Sequence, residues 1–300
     1  MPTYVSMLVY NTDMEIANQP RMRISRPEDA QTVRQLLETA SFSHWHVDWH
    51  VPGDWLGTPN FLVAENGEGQ IVGGLLAAAD PPPAAWVRVA AFSSGRLAAT
   101  LLPPMVADLE ATLREQAVTE LGWLLPVEWP DTWVSGLEFQ PITAIMTMIK
   151  TDLHLPSRPV NPDIHIRPVQ ERDLPRLAEI EAAAFDPLWR HSVAGLEISR
   201  QTAFAFDVAE WQGQLCGFQY SIYSQAEKCA HLVRMTVSPQ AQGQGIGSAL
   251  LNRAIMTYRQ KGFQQVTLNT QVDNIPSQQL YSRYGFRQTG PQVPIWVRPL

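Results

Sequence analysis

The chain has 300 residues, 45% of them hydrophobic and 17% charged, proportions that exclude wholesale disorder and suit two domains of roughly 150 residues each. Its 22 basic and 29 acidic side chains leave a net charge of -7 with no Lys/Arg run, which argues against a dedicated nucleic-acid binder. No stretch of ~18 uncharged apolar residues occurs, and the first twenty lack the basic and apolar regions of a signal peptide, so a cytoplasmic protein without membrane contact is expected.

After an N-terminal extension, 1–21, one pattern is written twice. The first copy, 22–153, opens with Ile24-Ser-Arg-Pro-Glu-Asp and a helical stretch through Leu36, Leu37 and Ala40. Residues 41–55 then crowd His44, His46, Asp48 and His50 among three tryptophans. No rigid spacing such as H-E-x-x-H supports a metal there, so a packed aromatic lid is the preferred reading and no metal is expected. Val63-Ala-Glu65 through Gly73 reads as strand, hairpin, strand, and Leu137-Glu-Phe139 leads into closing strands. Residues 154–163 carry Pro156, Pro159 and Pro162, as an extended linker would.

The second copy, 164–300, repeats the order. Ile166-Arg-Pro precedes Leu177, Ile180 and Ala184 at helical spacing, and Val208-Ala-Glu210 through Gly217 forms the hairpin. Cys229–Val237 is a buried strand, Ile246, Leu250, Ala254 and Tyr258 mark a helix ending at Gly262, and Gln265–Gln271 returns as a strand. Asn274 can cap a short helix with Pro276 in its first turn and Gly285 at its end. Cys216 and Cys229 are the only cysteines, too few for a disulfide framework and wrongly spaced for zinc. Each copy predicts an α/β (α+β) domain, a mixed and mostly antiparallel sheet flanked by helices.

Between strand and helix lies Gln242-Gly243-Gln244-Gly245-Ile246-Gly247-Ser248. Glycines there let backbone N–H groups approach a ligand, and the helix N-terminus adds about half a positive charge, so the loop suits a phosphate. A glycine-rich turn with no ligand is the bland alternative. The Gly-Lys-Ser/Thr of a P-loop is missing, as is the acidic partner of a dinucleotide fingerprint.

Gln242-x-x-Gly245-x-Gly247 after this strand resembles the acetyl-CoA signature of Gcn5-related N-acetyltransferases (GNAT), and Asn274, Leu280, Tyr281, Gly285 and Phe286 match that family's N-x5-L-Y-x3-G-F segment. The tandem arrangement resembles mycothiol synthase, and the second copy is also similar to enzymes that acetylate ribosomal-protein N-termini. The resemblance implies two tandem GNAT-like domains, the second of which transfers acetyl from acetyl-CoA to a primary amine by direct attack in a ternary complex. It implies that Met235, Thr236 and Val237 pair with the pantetheine, that residues 242–248 hold the pyrophosphate and Asn274 the pantetheine arm, and that Tyr281 protonates the departing thiolate. The acceptor could be a small amine or a peptide N-terminus. A non-catalytic acyl-CoA-binding protein and an oligomeric state both stay open.

Many family members carry a glutamate where this chain has Asn269, so the base lies elsewhere or is dispensable. His231 is the candidate, on the face expected to hold Val233 and Met235; the alternative is a hydrogen-bonded wall residue. Glu210 and Glu227 are weaker. Trp189 and Arg190, in the segment that lines the acceptor site of the family, either touch the acceptor or pack the loop. In the first copy the glycine loop aligns with 93–102, where Ala99 and Leu101 replace glycines, and Val127 and Val134 fall near the places of Asn274 and Tyr281. Acetyl transfer is expected to be lost there.

Overall fold

The computed structural model describes residues 20–46, 50–157, 161–224 and 228–300. Expectations for 1–19, Asp48, Pro159 and Glu227 lie outside the described residues. The chain divides into two compact units, one running to Gln140 and completed by Trp296–Leu300, the other Pro141–Ile295.

In the first unit, β1 (Arg21–Ile24) leads to α1 (Ala30–Thr39), which buries Val33 and Leu36, and then to β2 (Phe42–Trp45). β3 (Phe61–Glu65), β4 (Ile71–Ala79) and β5 (Ala84–Phe92) form an antiparallel meander with β1 on its outer edge. The helix α2 (Gly95–Glu115) presents Ala98, Leu101, Leu102, Met105 and Leu109 to the core, and β6 (Glu120–Leu124) lies parallel to β5. The short α3 (Asp131–Val134) follows. Tryptophans 123, 129 and 133 gather with Phe42, Phe92 and Phe139 into an edge-to-face aromatic cluster.

The second unit begins with β7 (Gln140–Lys150), then β8 (Ile164–Pro168), α4 (Leu174–Ala184), α5 (Val193–Thr202), β9 (Ala205–Trp211) and β10 (Gln214–Ser224). β11 (Cys229–Val237), α6 (Ile246–Gln260), β12 (Gln265–Gln271), α7 (Ile275–Arg283) and β13 (Arg287–Pro299) complete the elements. β8 to β11 are antiparallel neighbours, β11 and β12 are parallel, and β12 is antiparallel to β7. The helix α6 lays Leu250, Leu251, Ala254, Ile255 and Tyr258 against one face of this sheet, while Leu174, Leu177, Ile180 and Leu196 of α4 and α5 cover Phe206, Val208, Phe218 and Tyr220 on the other.

The repeat extends to side chains. Arg23 grips Asp29 through two bonds of 2.7 and 3.0 Å and also pairs with Glu65; Arg167 grips Asp173 at the same two distances and pairs with Glu210 at 2.8 Å. The two copies therefore align Arg23 with Arg167, two residues away from the match read by placing Ile24 on Ile166. The β-bulges match as well: Arg88 is the extra residue between Leu76↔Val89 and Ala77↔Val87, as Val233 is between Tyr220↔Arg234 and Ser221↔Leu232, and Val72 and Cys216 are the extra residues of a second matched pair.

The compact units divide elsewhere than the copies read from the sequence. β7 follows the first copy in the chain, yet Lys150 pairs with Val266 and Ile145 with Gln271, and Met146 and Met148 pack in the core with Leu232 and Leu268. Conversely, the last residues of the chain return to the first unit, where the Leu300 amide donates to Thr119 O at 2.9 Å.

Candidate active site

The second unit opens along one strand edge. β10 occupies one edge of β11 from Cys229 to Val237, whereas β12 pairs with the other only from Cys229↔Gln265 to Leu232↔Leu268. Beyond that point β11 and β12 part, and the bulge at Val233 sits at the fork. Met235, Thr236 and Val237 thus lie on a backbone edge that no strand covers among the described residues.

At the end of that edge the chain turns through residues 238–245 into α6. Gly243 and Gly245 both take left-handed conformations, φ +79° and +87°, and Gly245 is the N-cap of α6 without a side-chain cap. Among the described residues, none of the backbone N–H groups of residues 243–248 has an acceptor; Gln242 N before them bonds Pro239 O, and Ala249 N after them bonds Gly245 O at 3.0 Å. Unpaired donors converging at a helix N-terminus form an anion cradle. The Gly243 Cβ position is open, and at Gly245 the nearest atom, Asn161 Cβ, is 4.0 Å away. Asn161 also donates to Gln244 O at 3.3 Å, which ties the loop down. Gly247 serves a different purpose: a Cβ there would meet Leu280 Cδ2 at 3.2 Å, so its smallness lets α7 approach α6. Tyr284 Oη fixes the same junction by donating to Ser248 O at 3.0 Å.

Asn274 caps α7, its Oδ1 accepting from Ser277 N at 3.2 Å, which leaves the amide nitrogen for a ligand. Tyr281 is buried in the core shared by Leu232, Leu251 and Phe286. Burial pushes its phenol up to about 12, the Arg234 charge pulling the other way. Its hydroxyl has no hydrogen-bond partner among the described residues, so the proton is held without a competing acceptor.

His231 faces the opposite side of the sheet. Its Nδ1 lies 2.8 Å from Thr267 Oγ1, and burial lowers its pKa below 6.5, leaving it neutral at pH 7. The expectation that His231, Val233 and Met235 share a face is corrected by the bulge. Val233 packs with the α4 and α5 core, Met235 with the α6 core. Asn269 is exposed immediately past the fork and accepts from Thr147 Oγ1 at 2.9 Å. Glu210 accepts from Arg167 Nε at 2.8 Å.

The loop after α4 is held by a buried network around Glu181 and Arg234, which belongs to none of the sequence motifs. Glu181 is fully buried and accepts from Arg234 Nε at 3.1 Å, from Arg234 Nη2, from Thr236 Oγ1 and from His191 Nδ1 at 3.0 Å. Burial alone would raise its pKa, but the Arg234 charge and the bonds from His191 and Arg234 carry it down to about 2. Arg234 also donates to Trp189 O at 2.5 Å and stands 3.9 Å from the Phe185 ring centroid. Trp189 enters this network through its carbonyl, and Arg190 Nε donates to Phe185 O at 2.8 Å. The sequence carried a signal for the pair: a carboxylate on the buried stripe of α4 and an arginine inside an apolar strand.

In the first unit the corresponding features are filled. β5 ends at Phe92 and α2 starts at Gly95, so a two-residue link stands where the second unit has eight. Ala99 and Leu101 lie inside α2, which corrects their alignment to a loop. β6 pairs with β5 only through Trp86, and from Val89 to Phe92 β5 pairs with β2. Since β4 occupies the other edge of β5, β2 covers the edge that stays open on β11. His44 is buried on β2 near Val87 O, burial lowering it to about 4, and His46 stacks on Trp86 at 4.8 Å. His50 pairs with Asp80 and Asp54. Among the described residues no group of three or more His, Cys, Asp or Glu is placed to hold a metal ion, and no helix is long and apolar enough to cross a membrane.

The second unit thus combines an open strand edge, a helix N-terminus with unpaired backbone donors and a buried phenol. Residues 174–286 match the Acetyltransferase (GNAT) family, and with the relatives below this makes the chain an acyltransferase whose second unit carries a GNAT segment. Over 125 residues, 42% of the chain, it is 26% identical to a Bacillus subtilis (strain 168) protein assigned as a ribosomal protein bS18-alanine N-acetyltransferase, covering 82% of that protein. A 50-residue stretch, 17% of the chain, is 46% identical to the mycothiol acetyltransferase of Arthrobacter sp. (strain FB24) but spans only 16% of that protein's length. A solved tandem GNAT protein from the clavulanic acid biosynthesis pathway superposes with a TM-score of 0.60 at 15% identity, over 94% of this chain and 98% of that one. The fold is thus a mixed α/β tandem GNAT fold.

Proposed function

We propose that the second unit transfers an acetyl group from acetyl-CoA to a primary amine, and that the first unit binds no cosubstrate. The observation that carries the reading is the uncovered edge of β11 running into six unpaired backbone N–H groups at residues 243–248. A pyrophosphate suits that cradle, with no side-chain cation needed. The Asn274 amide and the backbone of Met235, Thr236 and Val237 would hold the pantetheine, which presents an acetyl thioester. Backbone donors at the fork are preorganised for charge developing on the acetyl oxygen. Tyr281 Oη, protonated at neutral pH, can give its proton to the departing sulfur. Both cysteines are buried, and burial pushes the Cys216 thiol up to about 11, so neither offers a covalent relay and the amine attacks directly. Neutral His231, across the sheet, can accept the amine proton directly or through water.

The peptide N-terminus remains a second acceptor class, favoured by the relative from B. subtilis. Incubating the chain with acetyl-CoA and a panel of small amines and peptides, while following free thiol release, tests the reading. Amine-dependent release is expected; binding of acetyl-CoA with no release for any acceptor would reduce the protein to an acyl-CoA-binding module.

A further inference from the structure

We infer that Arg234 is a positioning residue that fastens the 185–191 segment to the uncovered edge of β11 and thereby shapes the entrance for the acceptor. Arg234 lies on β11 between the bulge at Val233 and the three residues of the open edge. One guanidinium reaches three separate parts of the segment and its anchor helix: Glu181 on α4, the Trp189 carbonyl and the Phe185 ring face. Glu181 in turn takes Thr236 of the edge itself and His191 at the far end of the segment, whose Nε2 lies 3.2 Å from Tyr220 Oη on β10. Every group of this network lies in the second unit and is buried or nearly so.

The chemistry explains why arginine is suited to the place. A planar fork bonds a carboxylate through two nitrogens, keeps a further N–H for a carbonyl, and stacks on an aromatic face; an ammonium gathers its three donors on one atom and offers neither the two-nitrogen fork nor a plane to stack. A buried carboxylate that accepts four bonds is strongly fixed, and so is the chain attached to it. The same cation acts on the Tyr281 phenol, so the segment is tied to a strand position within electrostatic reach of the proton donor. The assignment of this entrance to the acceptor rests on the acetyltransferase reading; the fastening does not.

Backbone hydrogen exchange of the full chain, read at residues 185–191, together with acetyl-CoA affinity and acceptor kinetics, tests the inference in Arg234→Met and Arg234→Lys. Lysine keeps a cation against Glu181 but loses the two-nitrogen grip on that carboxylate and the planar stacking on Phe185. Both variants should exchange at least tenfold faster in the segment and bind acetyl-CoA within about threefold of wild type, and the acceptor KM should rise at least tenfold. If the methionine variant fails to fold, the lysine variant decides. Wild-type exchange and acceptor KM in Arg234→Lys would overturn the inference, because a plain charge pair would then suffice. A wild-type chain that binds no acetyl-CoA would instead fell the enzymatic reading, and the exchange data would still decide the fastening.

Discussion

In the proposed reaction Tyr281 is the proton donor to sulfur: it is buried in the core with Leu232, its hydroxyl has no hydrogen-bond partner among the described residues, and burial holds the proton on. Tyr281→Phe keeps the ring packing and removes the acid, so kcat should fall on the order of 10² while acetyl-CoA affinity changes little, as steady-state kinetics and calorimetry would show. His231 is pushed below 6.5 by burial, so it stays in its proton-accepting form at neutral pH and any acidic limb of the kcat/KM profile should lie below 6.5. That limb should vanish in His231→Gln; its survival would move the base role to water. Glu181 behaves oppositely to an exposed carboxylate. Its folded pKa, near about 2, lies below the ordinary 4.5, so its stabilisation is present above pH 4.5 and is lost as pH falls towards 2. Glu181→Gln should cost about 3 kcal/mol at pH 7 by leaving Arg234 without its counter-charge, and thermal melts should show the difference from wild type shrinking at low pH. The glycines, Asn274 and Tyr281 were legible in the sequence because each has a fixed spacing. Glu181 and Arg234 each stood out as a charge within an apolar pattern, but their pairing was not legible, since they are 53 residues apart and only the fold joins them.

Among the elements, α6 and α2 are entered by links of different length. Eight residues carry the chain from β11 into α6 and leave the amides of 243–248 without acceptors, whereas the two-residue link into α2 lets Ser94 Oγ cap Leu97 N at 3.3 Å. The aspartate in Gly245→Asp tolerates the left-handed backbone better than most side chains but brings a like charge to the phosphates, so the fold should survive and acetyl-CoA binding should be lost. Gly247→Asp should differ in kind, because its side chain must displace Leu280; a lowered melting temperature, by about 1–3 kcal/mol of stability, is the expected readout. Strands and helices were readable from periodicity, and the cap at Asn274 from its residue type. The bulges were not, because alternation read along a strand assumes unbroken pairing. That is why His231 and Met235 were placed together although the register turns them to opposite faces. Likewise nothing in residues 41–55 announced that β2 would pair with β5, since a four-residue strand is too short to carry a period.

At the scale of the whole molecule, the duplicated Arg–Asp–Glu triads and matched bulges describe two units built alike and used differently. The first unit covers its own β5 edge with β2 from Val89 to Phe92 and packs aromatic side chains around it, which among the described residues leaves no open edge there and only the Gly95 and Arg96 amides unpaired at the start of α2. Composition and repeats made two domains legible, but the exchange of terminal segments was not, because strand partners far apart in sequence are chosen by packing rather than by order along the chain. The account therefore predicts one cosubstrate site per chain, in the second unit. Calorimetric titration of acetyl-CoA into wild type and Gly245→Asp tests this most directly. One site per chain, lost in the variant, is the expected result; two sites per chain, or wild-type binding by Gly245→Asp, would contradict it.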